Sequence, residues 1–354
     1  MLGPTAETMM LLYAKTKELV RRPRLCTVER NVKFLHGQFH HVVFRIAILD
    51  RKQDTGDKDS FVMEWSMCSR RQFGAMAFGG LARAPGVAKI LGSRISGVQL
   101  GLQSYSFRDL TLDAAIAAMV QIGIGECELY MGHVEPQDLH GSALKDWRLT
   151  TPLSYFEEIR KKFDRAGIEL SAYSLNFRDS FSDAELDRGC QMTKALGTNI
   201  ITTSTTLTCA RRLAPVADKY KLRIAMHGHD ETAKPNEFAT PESFAKALAM
   251  SPQFYINLDI GHFAAGGYDP ASYIEEHHSK ILMLHIKDRK KDHGPAVPFG
   301  RGDTPIKHVL LLLRDKRYPI PANIEYEYND EQPGLDTVAE VKKCFAYCKA
   351  VLAS

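Results

Sequence analysis

The sequence predicts an α/β protein built as an eight-stranded parallel (β/α)8 TIM barrel over residues 97–354. Three observations carry that prediction. From Val98 onward, short apolar runs alternate with amphipathic stretches at a spacing of about 25 to 35 residues, the sign of βα units in a parallel sheet. Eight such units fit between residue 97 and the end of the chain, which matches the length of a closed barrel. No glycine-rich phosphate loop follows the first strand, which sets aside the open doubly wound sheet.

The predicted strands are 98–103 (VQLGLQ), 124–130 (IGECELY), 168–174 (IELSAYS), 199–203 (NIITT), 222–227 (LRIAMH), 254–259 (FYINLD), 281–286 (ILMLHI) and 322–327 (ANIEYE). Helices are expected between them at 111–122, 152–166, 184–196 and 208–220. Thr111, Thr150 or Thr151, and Ser182 stand where helix N-caps are needed. Gly123 and Gly167 follow the last helical residues and suit left-handed C-terminal caps.

Upstream of the barrel the chain reads differently. Residues 1–66 mix apolar and basic residues without a sustained period, and no domain is expected there. Met67-Cys68-Ser69-Arg70-Arg71-Gln72-Phe73-Gly74 then leads into the small, weakly apolar run Ala75 to Leu81 and the Ala82-Arg83-Ala84 triplet. That order resembles a twin-arginine export signal with its cleavage site, so 67–96 is expected to be signal and linker. Because such signals sit at a true N-terminus, translation is expected to start at Met63 or Met67, with the preceding residues a start-site artefact. The expected location is periplasmic, or cytoplasmic if the arginine pair is accidental.

Composition narrows the function classes. At 44% hydrophobic and 25% charged, the chain matches ordinary globular usage, and no run approaches the ~18 apolar residues of a membrane helix. The net charge of +4 comes from the first 96 residues, which hold 16 Lys/Arg against 8 Asp/Glu, leaving 30 against 34 in the body. An acidic body argues against nucleic acid as a partner. The seven cysteines include no CxxC pair, and Cys344 and Cys348, four apart on the final helix, read as core residues.

In a barrel of this kind the chemistry stands at the C-terminal strand ends. The second predicted strand carries Glu126 and Glu128 on one face, and the fifth ends in His227-Gly228-His229-Asp230-Glu231. The sixth ends in Asp259-Ile260-Gly261-His262, the seventh in His285-Ile286-Lys287-Asp288, and the eighth holds Glu325-Tyr326-Glu327. Two His and two carboxylates converging from four neighbouring strands make a mixed nitrogen and oxygen site for one divalent ion: Mn, Co, Mg, Fe or Zn. Burying those groups together without a cation would leave desolvated charge.

The pattern over residues 98–350 resembles the xylose isomerase-like barrel superfamily of sugar isomerases, ketose 3-epimerases and inosose dehydratases. Its most specific pieces are Asp259-Ile260-Gly261-His262, His285-Ile286-Lys287-Asp288, Phe299-Gly300-Arg301-Gly302-Asp303 and Ile324-Glu325-Tyr326. The resemblance implies that Asp259, His285 and Glu325 bind the metal and that His262 touches substrate. Where many epimerases of the family place a metal-binding glutamate, this chain has His227, closer to the dehydratase-like branch. His227 completes the expected metal set.

The expected chemistry is proton removal next to a carbonyl of a small sugar or polyol, whose oxygen and neighbouring hydroxyl chelate the metal as the enediolate forms. Glu325, His227 and His229 are the candidate acids and bases. Glu128, Arg108 and Lys287 join His262 as candidate substrate contacts. The product is that of an isomerase or epimerase; the alternative is a lyase or dehydratase acting on a keto-inositol or 3-keto-glycoside. An AP-endonuclease-like phosphodiesterase ranks behind both because of the acidic body, and a non-catalytic sugar-binding barrel because of its intact ligand set. A homo-oligomer is among the assemblies the sequence allows.

Overall fold

The computed structural model describes residues 91–354 and, upstream, three strands: β1 (Cys26–Leu35), β2 (Gln38–Leu49) and β3 (Ser60–Trp65). These three form an antiparallel sheet in the order β1-β2-β3. The sequence reading expects no regular structure in that stretch. What it passes over is local propensity: Val42-Val43-Phe44-Arg45-Ile46-Ala47-Ile48-Leu49 is rich in β-branched and aromatic residues, although no strand and helix repeat accompanies it. The chain divides into two compact units, Met1–Ala84 and Pro85–Ser354. The arginine pair and the cleavage-like triplet lie outside the described residues.

The second unit is the barrel. A two-residue strand β4 (Arg94–Ile95) turns through Ser96 and Gly97, both at positive φ, and pairs antiparallel with β5 (Val98–Gln103). Seven more parallel strands follow: β6 (Glu126–Tyr130), β7 (Glu169–Ser174), β8 (Ile200–Thr203), β9 (Arg223–His227), β10 (Phe254–Asp259), β11 (Ile281–Ile286) and β12 (Ala322–Ile324). Each pairs with the next, and β12 closes on β5 through Ala322↔Leu100, Asn323↔Gly101 and Ile324↔Leu102. The last strand ends at Ile324, earlier than expected, so Glu325 and Glu327 stand beyond it as rim residues.

The intervening helices begin and end where side chains satisfy their free backbone groups. In α1 (Leu112–Ile122), Thr111 accepts from Ala114 N–H, and Gly123 closes the end at φ 90°. After α2 (Gly141–Thr150), the helix α3 (Leu153–Ala166) starts at Pro152 with no side-chain cap, where Thr150 or Thr151 was expected, and ends at Gly167. In α4 (Asp183–Ala195), Ser182 and Glu185 form a reciprocal capping box. Next come α5 (Leu207–Tyr220), α6 (Pro241–Leu248), α7 (Ile260–Ala265), α8 (Pro270–His277), α9 (Ile306–Lys316) and α10 (Thr337–Ala353). Cys344 and Cys348 of α10 are buried, and burial pushes the Cys344 thiol up to about 12, as expected of core residues. No helix among the described residues is long and apolar enough to cross a membrane.

The barrel's lumen is polar, where bulky aliphatic layers are usual. Gly101 is one reason: a Cβ there would lie 1.6 Å from Glu126 Oε2 and 2.3 Å from Asn323 Oδ1. Asn323 donates its Nδ2 to Glu128 at 3.1 Å, so its Oδ1 faces Glu126, and neither of those two buried oxygens has another partner. A protonated Glu126 would satisfy both. Burial pushes its carboxyl up to about 8, which overcomes the opposing bond from Ser171.

In the unfolded chain Glu126 ionises near pH 4.5. Its stability penalty is therefore absent below pH 4.5, grows between 4.5 and about 8, and is constant above that. Glu126→Gln removes it. The expected gain is near zero at pH 4.5 and on the order of 4 kcal/mol at pH 8 and above. Thermal denaturation across that range checks this, and a gain that does not change with pH would contradict it.

Candidate metal and substrate site

Four side chains meet at the C-terminal mouth from four consecutive strands. His227 ends β9, Asp259 ends β10, His285 lies on β11 and Glu325 follows β12; all are buried, and one ligand atom from each lies within 4.8 Å of all the others. Neighbouring strand register explains the convergence, since Asp259 pairs with His285 and His285 with Asn323, two residues before Glu325. These are the four side chains that the sequence reading groups as a metal set, brought together here.

The two oxygens of Asp259 turn to different neighbours. Its Oδ1 accepts from His262 N–H at 2.8 Å, capping α7, while the buried Oδ2 lies 3.0 Å from the Lys287 ammonium. Gly261 allows α7 to start that close to β11: a Cβ there would lie 2.8 Å from the Lys287 carbonyl oxygen.

Beneath these four side chains sits Glu128, fully buried. It accepts from Gln103 Nε2 (2.9 Å), Asn257 Nδ2 (3.2 Å), Asn323 Nδ2 (3.1 Å), Thr202 Oγ1 and His285 Nε2 (2.8 Å). A carboxylate acceptor at Nε2 fixes that nitrogen as the N–H and turns His285 Nδ1 toward Glu325 Oε2, 3.1 Å away. Burial alone would lower the His285 pKa, but Glu128 and Glu325 overcome it and hold the ring well above its usual range. Its Nδ1 proton is what a cation would replace.

His227 is the opposite case. Burial, then the nearby His285 and His229, push its pKa well below the usual imidazole range, so the ring is neutral, and its buried Nδ1 has no hydrogen-bond partner. A neutral imidazole with an orphaned nitrogen, two buried carboxylates and a second histidine held by an orienting carboxylate together fit a divalent cation.

A cavity of about 420 Å³ opens onto this cluster. Its wall on the β9 to β12 side carries His227, His229, His262, His285, Lys287, Glu325 and Glu327. The opposite wall carries Ser174, Asn176, Arg178 and Ser204, with Tyr105 and Tyr130 as an edge-to-face pair, centroids 4.9 Å apart. Asn176 Oδ1 accepts from Ser204 N–H at 2.8 Å, which leaves its NH2 as a donor. Burial, then His262 and Lys287, push the His229 pKa down to about 4, so this ring is a neutral proton acceptor near pH 7.

The sequence-expected residues divide on inspection. His229, His262 and Lys287 reach the cavity as expected. His262 Nδ1 donates to Asp230 at 2.8 Å, which leaves Nε2 to accept from Lys287 at 3.1 Å. Glu128 does not reach the cavity; it lies below and acts on His285. Arg108 does not line the cavity either: its guanidinium is spent on Asp330 and Asn329 (both 2.5 Å) and on the Tyr326 carbonyl (3.1 Å).

Sequence reasoning missed Arg178, Asn176 and Ser204, which follow the third and fourth barrel strands, and the Tyr105–Tyr130 pair. Their position just past strand ends was the available signal. Asp288, grouped with the site by sequence, holds the 299–303 loop, accepting from Gly300 N–H (2.8 Å) and Gly302 N–H (2.9 Å).

Comparison with known proteins agrees with the barrel fold. A family model described as "Xylose isomerase-like TIM barrel" matches residues 116–347. Among curated proteins, the L-ribulose-5-phosphate 3-epimerase UlaE of Salmonella paratyphi C (strain RKS4594) is 29% identical over 124 residues, 33% of this chain and 42% of that protein. The chain thus spans less than half the length of that relative. A sugar phosphate isomerase/epimerase from Parabacteroides distasonis ATCC 8503 superimposes with TM-score 0.53 at 17% identity, over 76% of this chain and 99% of that one. The IolI protein with a bound zinc atom gives 0.54 at 16% identity, over 72% and 98%. At such identities both structures speak for the fold alone.

Proposed function

The chain belongs to the xylose isomerase-like TIM barrel family, and from that premise we propose that it is a divalent-metal-dependent isomerase or epimerase of a keto sugar, with a sugar phosphate as the favoured substrate class. The observation that carries this reading is the buried convergence of His227, Asp259, His285 and Glu325, with one ligand atom from each within 4.8 Å of the others, at the floor of a sugar-sized cavity. The named relatives support a phosphorylated keto sugar, and a bound zinc in one structural neighbour supports a metal. The metal would supply Lewis-acid stabilisation of the negative charge that develops on the substrate carbonyl oxygen.

The chain's own residues supply the rest. Glu325, held well below the usual carboxylate range by His285 and Lys287 in spite of burial, is ionised, and His229 is neutral; both line the cavity and can exchange a proton with a substrate carbon. His262 and Lys287 present polar atoms to substrate oxygens from the same wall. Arg178, exposed on the opposite wall and, among the described residues, without an ion-pair partner, suits a distal phosphate. Replacing Arg178 by glutamine is expected to raise KM for a ketopentose 5-phosphate by about tenfold or more with little change in kcat, and to leave the unphosphorylated sugar unaffected. Equal effects on the two sugars would remove the phosphate assignment.

One observation favours a second outcome. His227 and His229 stand where a carboxylate would be needed for a symmetric two-carboxylate shuttle, which leaves room for elimination of a β-oxygen as a lyase would perform it. Incubating the manganese-loaded protein with ketopentose 5-phosphates and separating the products decides. A 3-epimer or aldose supports the reading, a dehydrated product supports the second, and unchanged substrates across the series contradict both.

A further inference from the structure

Lys287 is only 2% exposed, yet its ammonium faces four acceptors. Nζ lies 3.0 Å from Asp259 Oδ2, 2.8 Å from Glu325 Oε2, 2.6 Å from Glu327 Oε2 and 3.1 Å from His262 Nε2. An ammonium has three donors, so it cannot serve all four at once. Two of the four acceptors belong to the metal set, and Asp259 Oδ2 is the oxygen left over from the α7 cap. We infer that Lys287 is a resident counter-cation that competes with the divalent metal for Asp259 and Glu325 and so sets how tightly the site holds its metal.

This rests on the metal reading above and deepens it. Three carboxylates against one ammonium leave the cluster at −2, a charge that a divalent ion cancels. When the ion takes Asp259 and Glu325, Lys287 keeps Glu327 and His262 as partners, and its third donor is released toward the cavity it lines. The freed donor suits a hydroxyl or carbonyl oxygen of the substrate. Metal loading and substrate reception are then coupled through one side chain: the charge that holds the carboxylates before loading is the charge that meets substrate afterwards. A metal held against a neighbouring positive charge is also exchangeable, since repulsion at this distance in a buried setting weakens binding strongly.

Titration of the chelator-treated full-length protein with Mn²⁺ alone, followed by calorimetry and by the electron paramagnetic resonance signal of free Mn²⁺, tests this without turnover. Lys287→Met is expected to tighten Mn²⁺ at least tenfold. Glu327→Gln, which turns Lys287 wholly toward Asp259 and Glu325, is expected to weaken it by a similar factor, and this variant carries the test if Lys287→Met does not fold. Unchanged affinity in either folded variant, or weaker binding in Lys287→Met, overturns the competition. Absence of a Mn²⁺ site in the wild-type protein overturns the metal reading itself, a different result from the first.

Discussion

Asp259→Ala is expected to leave the protein folded but without bound divalent metal, and to lower kcat/KM by about a thousandfold or more. Both effects run through the two oxygens of one carboxylate. Oδ1 caps α7, and its loss costs about 1 kcal/mol, within the margin of a domain of this size. Oδ2 is the oxygen that faces Lys287 at 3.0 Å, and with its charge gone the remaining ligands are one carboxylate and two histidines beside an ammonium. Asp259→Asn separates the two roles, because asparagine caps as well as aspartate but carries no charge. It should melt above Asp259→Ala, because the cap is kept, and still lose the metal. Elemental analysis of the purified variants, read alongside their melting curves, checks both; a variant that retains metal and turnover would refute the ligand assignment.

Glu128→Ala has the second largest expected effect, and it acts on stability as well as on the site. Removing the carboxylate leaves Gln103, Asn257, Asn323, Thr202 and His285 directing donors at a dry hole, and the expected destabilisation is about 3–5 kcal/mol. Glu128→Gln keeps the shape and one acceptor while setting an NH2 or a weaker oxygen against His285, so its cost is expected at about 1–2 kcal/mol. In that milder variant the metal should still bind about 10- to 100-fold more weakly, because His285 loses the partner that fixes its tautomer and direction. Denaturant unfolding and metal titration of the same samples measure the two effects. Wild-type metal affinity in a destabilised Glu128→Gln would reduce Glu128 to a packing role.

The fold was legible because its signals are local and repeated. The alternation from Val98 onward, Ser182 three residues before Glu185, and the glycines at 123 and 167 each state a boundary in two or three residues. The metal set was legible for a related reason: strand ends in consecutive units put His227, Asp259, His285 and Glu325 on one rim whatever the loops do.

What sequence could not state is where a polar side chain is spent. Arg108 follows the first strand as a substrate-binding residue should, but the turn after Glu327 brings Asn329 and Asp330 to it. Glu128 looks like an active-site acid until the donors of five other strands or strand ends are seen around it. Glu126 requires Gly101, 25 residues before it, and Asn323, 197 residues after it, to be brought beside it before its proton can be inferred. Upstream, the antiparallel strands β1 to β3 carry no strand and helix repeat, and their β-rich composition is a weaker signal than such a repeat.

The central claim is that this cluster uses a divalent metal to make a substrate C–H acidic. Proton NMR of a ketopentose 5-phosphate incubated in deuterated water with manganese-loaded, chelator-treated and Asp259→Ala protein, with the metal removed before the spectra are recorded, tests it most directly. The account predicts that solvent deuterium replaces the proton on the carbon next to the carbonyl only in the loaded wild-type sample. Exchange that persists at the same rate in the chelator-treated protein, or in Asp259→Ala, would contradict it.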